Sequence, residues 1–294
     1  MKAKIAFFGT PEFAVSALRA LQAEGYDFSL VITQPDKPVG RKQDLTPSPV
    51  KVAAKKLGLK VAEGLTAGEL KDCSAEAGIV VAYGEIIPSG ILNLFPKGCL
   101  NIHPSLLPKY RGPSPIQSAI FKGDEKIGVS IIRLDKKLDH GPVVAVVEEE
   151  IRGMNCQQLT EKLAESGARL LIDTLPDYLA GKIKPEDQDD SRATFTKLLK
   201  REDGRIDWQK PAEEVMRQIR AYFPWPGSFT EFKGKQVKIL KASLGEEIEG
   251  EIGKFQNKNG RLVVRCGQES VVIEELQPEG RKPMSATEFI NGYL

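Results

Sequence analysis

Histidine is scarce in this chain: 294 residues contain two of them, and only two tryptophans and four cysteines. The cysteines, Cys73, Cys99, Cys156 and Cys266, are scattered and form no CxxC pair. That spacing speaks against a zinc site and against a disulfide framework, so no metal is expected, and reduced thiols fit a cytoplasmic protein. No apolar run approaches the roughly 20 residues of a membrane span. The opening MKAKIAFFGTPEFA breaks its short apolar run at Gly9 and Pro11, and reads as a first strand rather than a signal peptide. A glycine-rich phosphate loop is missing too. Gly9 stands alone until Gly25, whereas a dinucleotide fingerprint needs three closely spaced glycines; Pro11 instead suits the start of a helix. Nor is there an excess of one charge. Forty-two basic residues face 40 acidic ones, for a net charge of +2, and that balance by itself names no partner.

What is present is an ordinary globular composition, 41% hydrophobic and 28% charged. Short apolar runs alternate with helical patterns. KIAFFG is a buried strand, followed by a helix over about residues 11–25, and SLVIT (29–33) is a second strand. Residues 34–50, QPDKPVGRKQDLTPSPV, hold four prolines and read as a long loop. AGIVVAYG, GCLNIHPS and GPVVAVVEEEI are further strands, and Leu159, Leu163, Leu170, Leu171 and Leu175 recur at helical spacing. This alternation predicts an α/β domain with an open, mostly parallel sheet over residues 1–187. A polar linker over 188–204 and a small β-barrel over 205–294 complete the expected organisation. No internal repeat is evident.

One of the two histidines lies in NIHPSLLPKYRG (101–112). If CLNIH is extended, Asn101 and His103 project from one face at the carboxyl end of a strand, where ligands bind in open parallel sheets. The prolines that follow stiffen the loop. Thirty-six residues on, KKLDHGPVV places Asp139 before another strand, and a carboxylate there can orient the imidazole. On residue types alone two readings stand: a strand-capping histidine beside a turn-forming aspartate, or a catalytic set. For the second, acyl transfer to an amine is a good answer. A free α-amine, with a pKa of about 7.7–8.0, needs no activated protein nucleophile. An amide and an imidazolium can hold an oxyanion, and a His–Asp pair can move the proton.

NIHPSLLPKYRGPSPIQ together with LDHGPV resembles the formyltransferases that use 10-formyltetrahydrofolate. The resemblance implies that Asn101, His103 and Asp139 are catalytic and that Ser105, Leu106, Leu107 and Pro108 lie on the folate. It also implies that the loop VVAYGEIIPSG contributes Tyr83, Gly84, Ile86 and Ile87 to the folate pocket. Three further segments are similar to the methionyl-tRNA branch: TQPDKPVGRKQDLTPSPVK, RIDWQKPAEEVMRQIRAYFPWPGSFTEF and LQPEGRKPMSATEFINGYL. The implied fold is a Rossmann-like domain followed by an OB-like barrel that contacts tRNA. The implied reaction moves a formyl group from 10-formyltetrahydrofolate to the α-amine of methionyl initiator tRNA, in translation initiation. A monomer with no membrane association and no obligate protein partner is expected. The rivals are a nucleotide-sugar N-formyltransferase, which lacks the PSPVK loop and the LQPEGRKPMS ending, and a folate- or RNA-binding module without turnover.

Local charge supports a nucleic-acid partner for the loop. Residues 34–60 carry seven basic side chains against Asp36 and Asp44, and a basic, proline-rich loop suits phosphate contact. Arg41 and Lys42 at its tip are the candidate tRNA contacts. Trp225, between two prolines, reads as a hinge packed against its surroundings rather than as a stacking platform. His140, where the family often has Thr or Ala, is expected to point to solvent.

Overall fold

The computed structural model describes residues 2–40, 43–65 and 73–294. It divides into two compact units. One comprises Met1–Gly112, Lys126–Glu150 and Thr160–Thr196; the other comprises Pro113–Glu125, Ile151–Leu159 and Lys197–Leu294.

In the first unit, β1 (Lys4–Gly9) leads into α1 (Glu12–Ala23) and β2 (Asp27–Thr33). A ribbon of β3 (Lys37–Val39) and β4 (Asp44–Thr46) precedes α2 (Pro49–Lys56) and β5 (Val61–Glu63). Next come β6 (Ala77–Val81), a turn of helix α3 (Ser89–Leu92) and β7 (Cys99–His103). After α4 (Pro115–Lys122), which belongs to the second unit, follow β8 (Lys126–Arg133), β9 (Val143–Glu150) and α5 (Cys156–Leu179). The sheet order is β5-β2-β1-β6-β7-β8-β9, parallel from β5 to β7 and antiparallel beyond it. β6 is buried along its whole length and β1 at all but its first residue. This is why they read as continuous apolar runs: both faces of a central parallel strand are covered. β9, at the edge, alternates half-buried and exposed residues instead.

Strand order reverses between β1 and β6, and ligand crevices of open α/β sheets form at such a reversal. Gly9 ends β1 there. A Cβ on it would lie 2.8 Å from the Ala14 Cβ and 3.1 Å from the Val81 carbonyl, so this lone glycine serves close packing of the first turn of α1. The loops at this end are tied together. The Thr10 hydroxyl donates to the Tyr83 carbonyl (2.8 Å) and accepts from the Gln34 amide (3.3 Å).

The described residues of 34–50 hold more regular structure than four prolines suggest. β3 and β4 pair antiparallel, with Pro38 opposite Leu45. A two-stranded ribbon has a free edge on each strand, so the N–H that Pro38 lacks need not be one the ladder uses. The Leu45 side chain is exposed, so the ribbon gives no inside–outside alternation to read. Ser48 then caps α2, its Oγ accepting from the Lys51 amide at 3.0 Å.

The second unit carries α6 (Ala212–Ala221) and an antiparallel sheet of β10 (Ser228–Phe232), β11 (Lys235–Gly245), β12 (Phe255–Lys258), β13 (Arg261–Arg265), β14 (Ser270–Pro278) and β15 (Met284–Ser285). Helix α7 (Ala286–Tyr293) ends the chain. Strand order is β10-β11-β14-β13-β12, with β15 on β14. The two ends of this path meet through rings. Phe232 of β10 and Phe255 of β12 stack at 5.2 Å, and Phe289 of α7 packs edge-on against both. Phe289 is fully buried, so replacing it by alanine removes the keystone of that closure. Phe289→Ala is expected to cost about 3–5 kcal/mol. Chemical denaturation checks this, and a loss below about 1 kcal/mol would show that the rings do not close the sheet.

Candidate active site

Asn101 and His103 occupy alternate positions on β7 and so share a face. The Asn101 carboxamide is partly exposed and has no side-chain hydrogen bond among the described residues. His103 is buried, and opposite it in register sits Ser130 of β8. That serine shapes the loop after β7. Its hydroxyl donates to the Ser105 carbonyl (2.7 Å) and accepts from the Leu107 amide (3.1 Å). The Ser105 hydroxyl in turn donates to the Lys109 carbonyl (2.6 Å). The result is a stiff arch that returns Tyr110 to the histidine, whose Nε2 lies 3.0 Å from the Tyr110 carbonyl.

Asp139 arrives from the loop between β8 and β9. It is buried and adopts a left-handed backbone, φ 48°. One carboxylate oxygen accepts from the Gly112 amide at 2.8 Å, and the other lies 3.6 Å from the His103 Nδ1. That second separation is too long for a direct hydrogen bond but close enough for a charge pair. Each ring nitrogen therefore faces an acceptor, and a neutral imidazole can donate to only one of them. Gly141 allows the tight turn after the aspartate. A Cβ there would sit 1.9 Å from the Arg133 carbonyl oxygen.

His140 does not point freely to solvent, contrary to the expectation from sequence. Its Nδ1 lies 2.6 Å from Asp135 and its Nε2 3.4 Å from Asp190. One of these carboxylates, Asp135, is local, but Asp190 comes from the polar stretch after α5, which no local pattern reveals. Asp190 is held below the ordinary carboxylate range, first by its hydrogen bond from Arg111 and also by the nearby His140.

Sequence reasoning missed a set of residues drawn from the polar stretch after α5. Gln188 donates to the carbonyls of Asp139 (2.9 Å) and Gly141 (2.8 Å), and accepts from the Arg111 Nε (3.0 Å) and Nη2 (2.8 Å). The Thr194 hydroxyl accepts from the Tyr110 amide (2.8 Å), and main-chain bonds join Arg111 to Thr194 and Thr196. Residues 188–196 thus clasp the loop after β7. Arg111 lies in the YRG run and is 3% exposed. A buried arginine demands partners, but nothing in the sequence says where they come from.

The other candidates divide. Tyr83 is 2% exposed and packs edge-on to Phe8; burial first, then Glu85, pushes its phenol up to about 12. Its side chain belongs to the core. Gly84 turns left-handed, φ 87°, directly after it. Ile86 is 90% exposed, while Ile87 packs partly against the core. Leu106 touches β8, where a Cβ on Gly128 would lie 2.4 Å from its Cδ2; Leu107 and Pro108 are half-buried. Arg41 and Lys42 lie outside the described residues. Lys51 is one of the seven basic side chains of residues 34–60. It is buried between Asp36 (2.7 Å) and Glu63 (2.6 Å), which raise its pKa, Asp36 first. Trp225 is 55% exposed, so it does not pack as the hinge reading requires. Among the described residues no group of three or more His, Cys, Asp or Glu can hold a metal, and no helix is long and apolar enough to cross a membrane.

Comparison with known proteins decides the family. The formyl transferase model matches residues 3–175, and the model of the formyl transferase C-terminal domain matches residues 198–294. The chain belongs to the formyl transferase family. Among curated relatives of this family, a methionyl-tRNA formyltransferase of Chloroflexus aurantiacus is 44% identical over 98% of this chain and 96% of its own length. One of Bacillus mycoides is 42% identical over 98% and 95%, and one of Caldanaerobacter subterraneus 40% over 99% and 97%. Solved structures share the fold at lower identity. WlaRD, a sugar 3N-formyl transferase solved with dTDP and 5-N-formyl-THF, superposes with a TM-score of 0.71 at 19% identity, over 96% of this chain and all of its own. HypX of Aquifex aeolicus in complex with tetrahydrofolic acid gives 0.69 at 18% over 99% of this chain, which spans 47% of HypX.

Proposed function

We propose that this chain transfers the formyl group of 10-formyltetrahydrofolate to the α-amine of methionyl initiator tRNA. The observation that carries the reading is identity of about 40–44% to methionyl-tRNA formyltransferases along nearly the full chain. The convergence of Asn101, His103 and Asp139 at one strand end agrees with it. In this reading the substrate amine, made less basic by the neighbouring ester, attacks the formyl carbon. The unpartnered Asn101 carboxamide donates to the oxygen as it becomes negative, and the His103 ring, when protonated, offsets that charge. The His103–Asp139 pair takes up the amine proton and passes it to the tetrahydrofolate nitrogen, which leaves as its bond to the formyl carbon breaks. The exposed Ile86, with Leu106, Leu107 and Pro108, offers apolar surface for the folate. Ser105 contributes through the arch it builds rather than through its committed hydroxyl. No step of this reading uses a metal, and a cytoplasmic monomer suits it.

The test is acceptor choice. Purified protein with 10-formyltetrahydrofolate should formylate charged initiator methionyl-tRNA, and a nucleotide amino sugar should accept little. The reverse result would transfer the chain to the sugar-modifying branch. Within this reading Arg41 reaches the acceptor end of the tRNA and Lys42 meets phosphate. Lys42→Ala is expected to weaken use of all tRNAs and to make the salt slope shallower by a little under one unit. Arg41→Leu should cost more, about 1–3 kcal/mol if it contacts a base, and blunt the preference for initiator over elongator methionyl-tRNA. Transfer rates to both tRNAs across a salt series decide this. Unchanged discrimination and slope in Arg41→Leu would make the loop a bystander.

A further inference from the structure

We infer that Gln188 is a positioning residue that fixes the Asp139 carboxylate against His103 by tying together the two loops that carry them. The inference rests on the reading of Asp139 as a catalytic group. A side-chain amide has two N–H donors and two acceptor lone pairs. Gln188 uses all of them: both donors on the Asp139 and Gly141 carbonyls, both lone pairs on Arg111. Its orientation is forced, because the reverse placement would set N–H groups against the guanidinium and oxygen against two carbonyls.

The partners are placed where they matter. On one side, Asp139 and Gly141 bracket the turn that holds the carboxylate, and Asp139 itself sits in the left-handed region. A non-glycine residue persists there only when its surroundings over-determine it. On the other side, Arg111 lies between Tyr110, whose carbonyl faces the His103 Nε2, and Gly112, whose amide holds the Asp139 carboxylate. One amide thus joins the two loops that supply the polar contacts of the His103–Asp139 pair, and the Thr194 hydroxyl and main-chain bonds brace one of them as well. Asp190 braces the same unit, accepting from Arg111 at 2.8 Å and lying 3.4 Å from His140. Displacements of about 1 Å at such a site can cost a hundredfold in rate.

Two variants separate positioning from bulk stability. Gln188→Leu removes all four bonds. Gln188→Glu still accepts from Arg111, but at neutral pH it presents oxygen to both carbonyls. Each folded variant is expected to lose about ten- to a hundredfold in kcat, with KM for 10-formyltetrahydrofolate and for tRNA within about threefold of the parent. The pH profile is the sharper readout. A protonated carboxyl regains one donor, so kcat of Gln188→Glu relative to the parent should rise as pH falls, whereas the ratio for Gln188→Leu stays flat. The titratable and charged groups around position 188 are Arg111, Asp135, Asp139, His140, Asp190 and His103, with Asp187 and Asp189 as chain neighbours. All are common to parent and variants, and Gln188→Leu, which adds no charge, is the control for their titration. If Gln188→Leu folds poorly, Gln188→Glu carries the test alone, since Arg111 compensates its charge. Asp139→Asn is assayed beside them. If Asp139→Asn is slow while both folded Gln188 variants turn over within twofold of the parent at every pH, the inference is overturned. If Asp139→Asn itself is near normal, the catalytic reading of Asp139 falls, and the positioning role with it.

Discussion

Asp139→Asn is expected to leave the fold intact and to lower turnover by a hundredfold or more, the scale of acid–base catalysis. The fold should survive because the asparagine oxygen can still accept from the Gly112 amide, which the aspartate holds at 2.8 Å. That bond orients the new amide. Its NH2 must then face the His103 Nδ1, which the carboxylate oxygen faces in the parent at 3.6 Å. A donor there obliges Nδ1 to act as acceptor, while Nε2 stays committed to the Tyr110 carbonyl at 3.0 Å. The ring is then held neutral with its donor turned into the protein, and it has no charge to offer a developing oxyanion and no partner for an incoming proton. Steady-state turnover with both substrates saturating checks this, beside a thermal melt. Near-normal kcat in a folded variant would remove Asp139 from the mechanism.

The contrast between what the sequence disclosed and what it concealed has a physical basis. Asn101 and His103 were legible because a scarce titratable side chain stood at a strand end beside prolines, where a period of two puts both on one face. The parallel sheet was legible because β1 and β6 are covered on both sides and so are almost uniformly apolar. The β3–β4 ribbon was not, because Lys37, Pro38 and all of β4 are exposed and its prolines imitate a loop. Gln188 was hidden for a different reason. Its value lies in four bonds to residues 47 to 77 positions away in the chain, and a glutamine in a polar stretch carries no periodicity to mark it. His140 misled in the same way, since one of the carboxylates that hold it, Asp190, comes from the polar stretch after α5. Lys51, counted among the basic side chains of residues 34–60, is likewise held by Asp36 and Glu63 from neighbouring segments.

Asn101→Ala separates binding from chemistry. The Asn101 carboxamide has no side-chain hydrogen-bond partner among the described residues, although it sits on β7 between Val80 and Ile132 of the flanking strands. A polar side chain in such a position either meets solvent or awaits a substrate, and its removal breaks nothing inside the protein. Stability should therefore change little. Turnover should fall by roughly 10²–10³, as loss of one preorganised oxyanion donor does in other enzymes. Affinity for the folate should change far less, because the negative charge that the amide stabilises exists mainly in the transition state. In kinetic terms kcat and kcat/KM should drop together while KM holds. Binding of a stable folate analogue, measured by titration calorimetry, supplies the ground-state side of the comparison. If analogue affinity falls as far as turnover does, Asn101 is a substrate-binding residue, and the oxyanion must be held by His103 and groups of the substrates themselves.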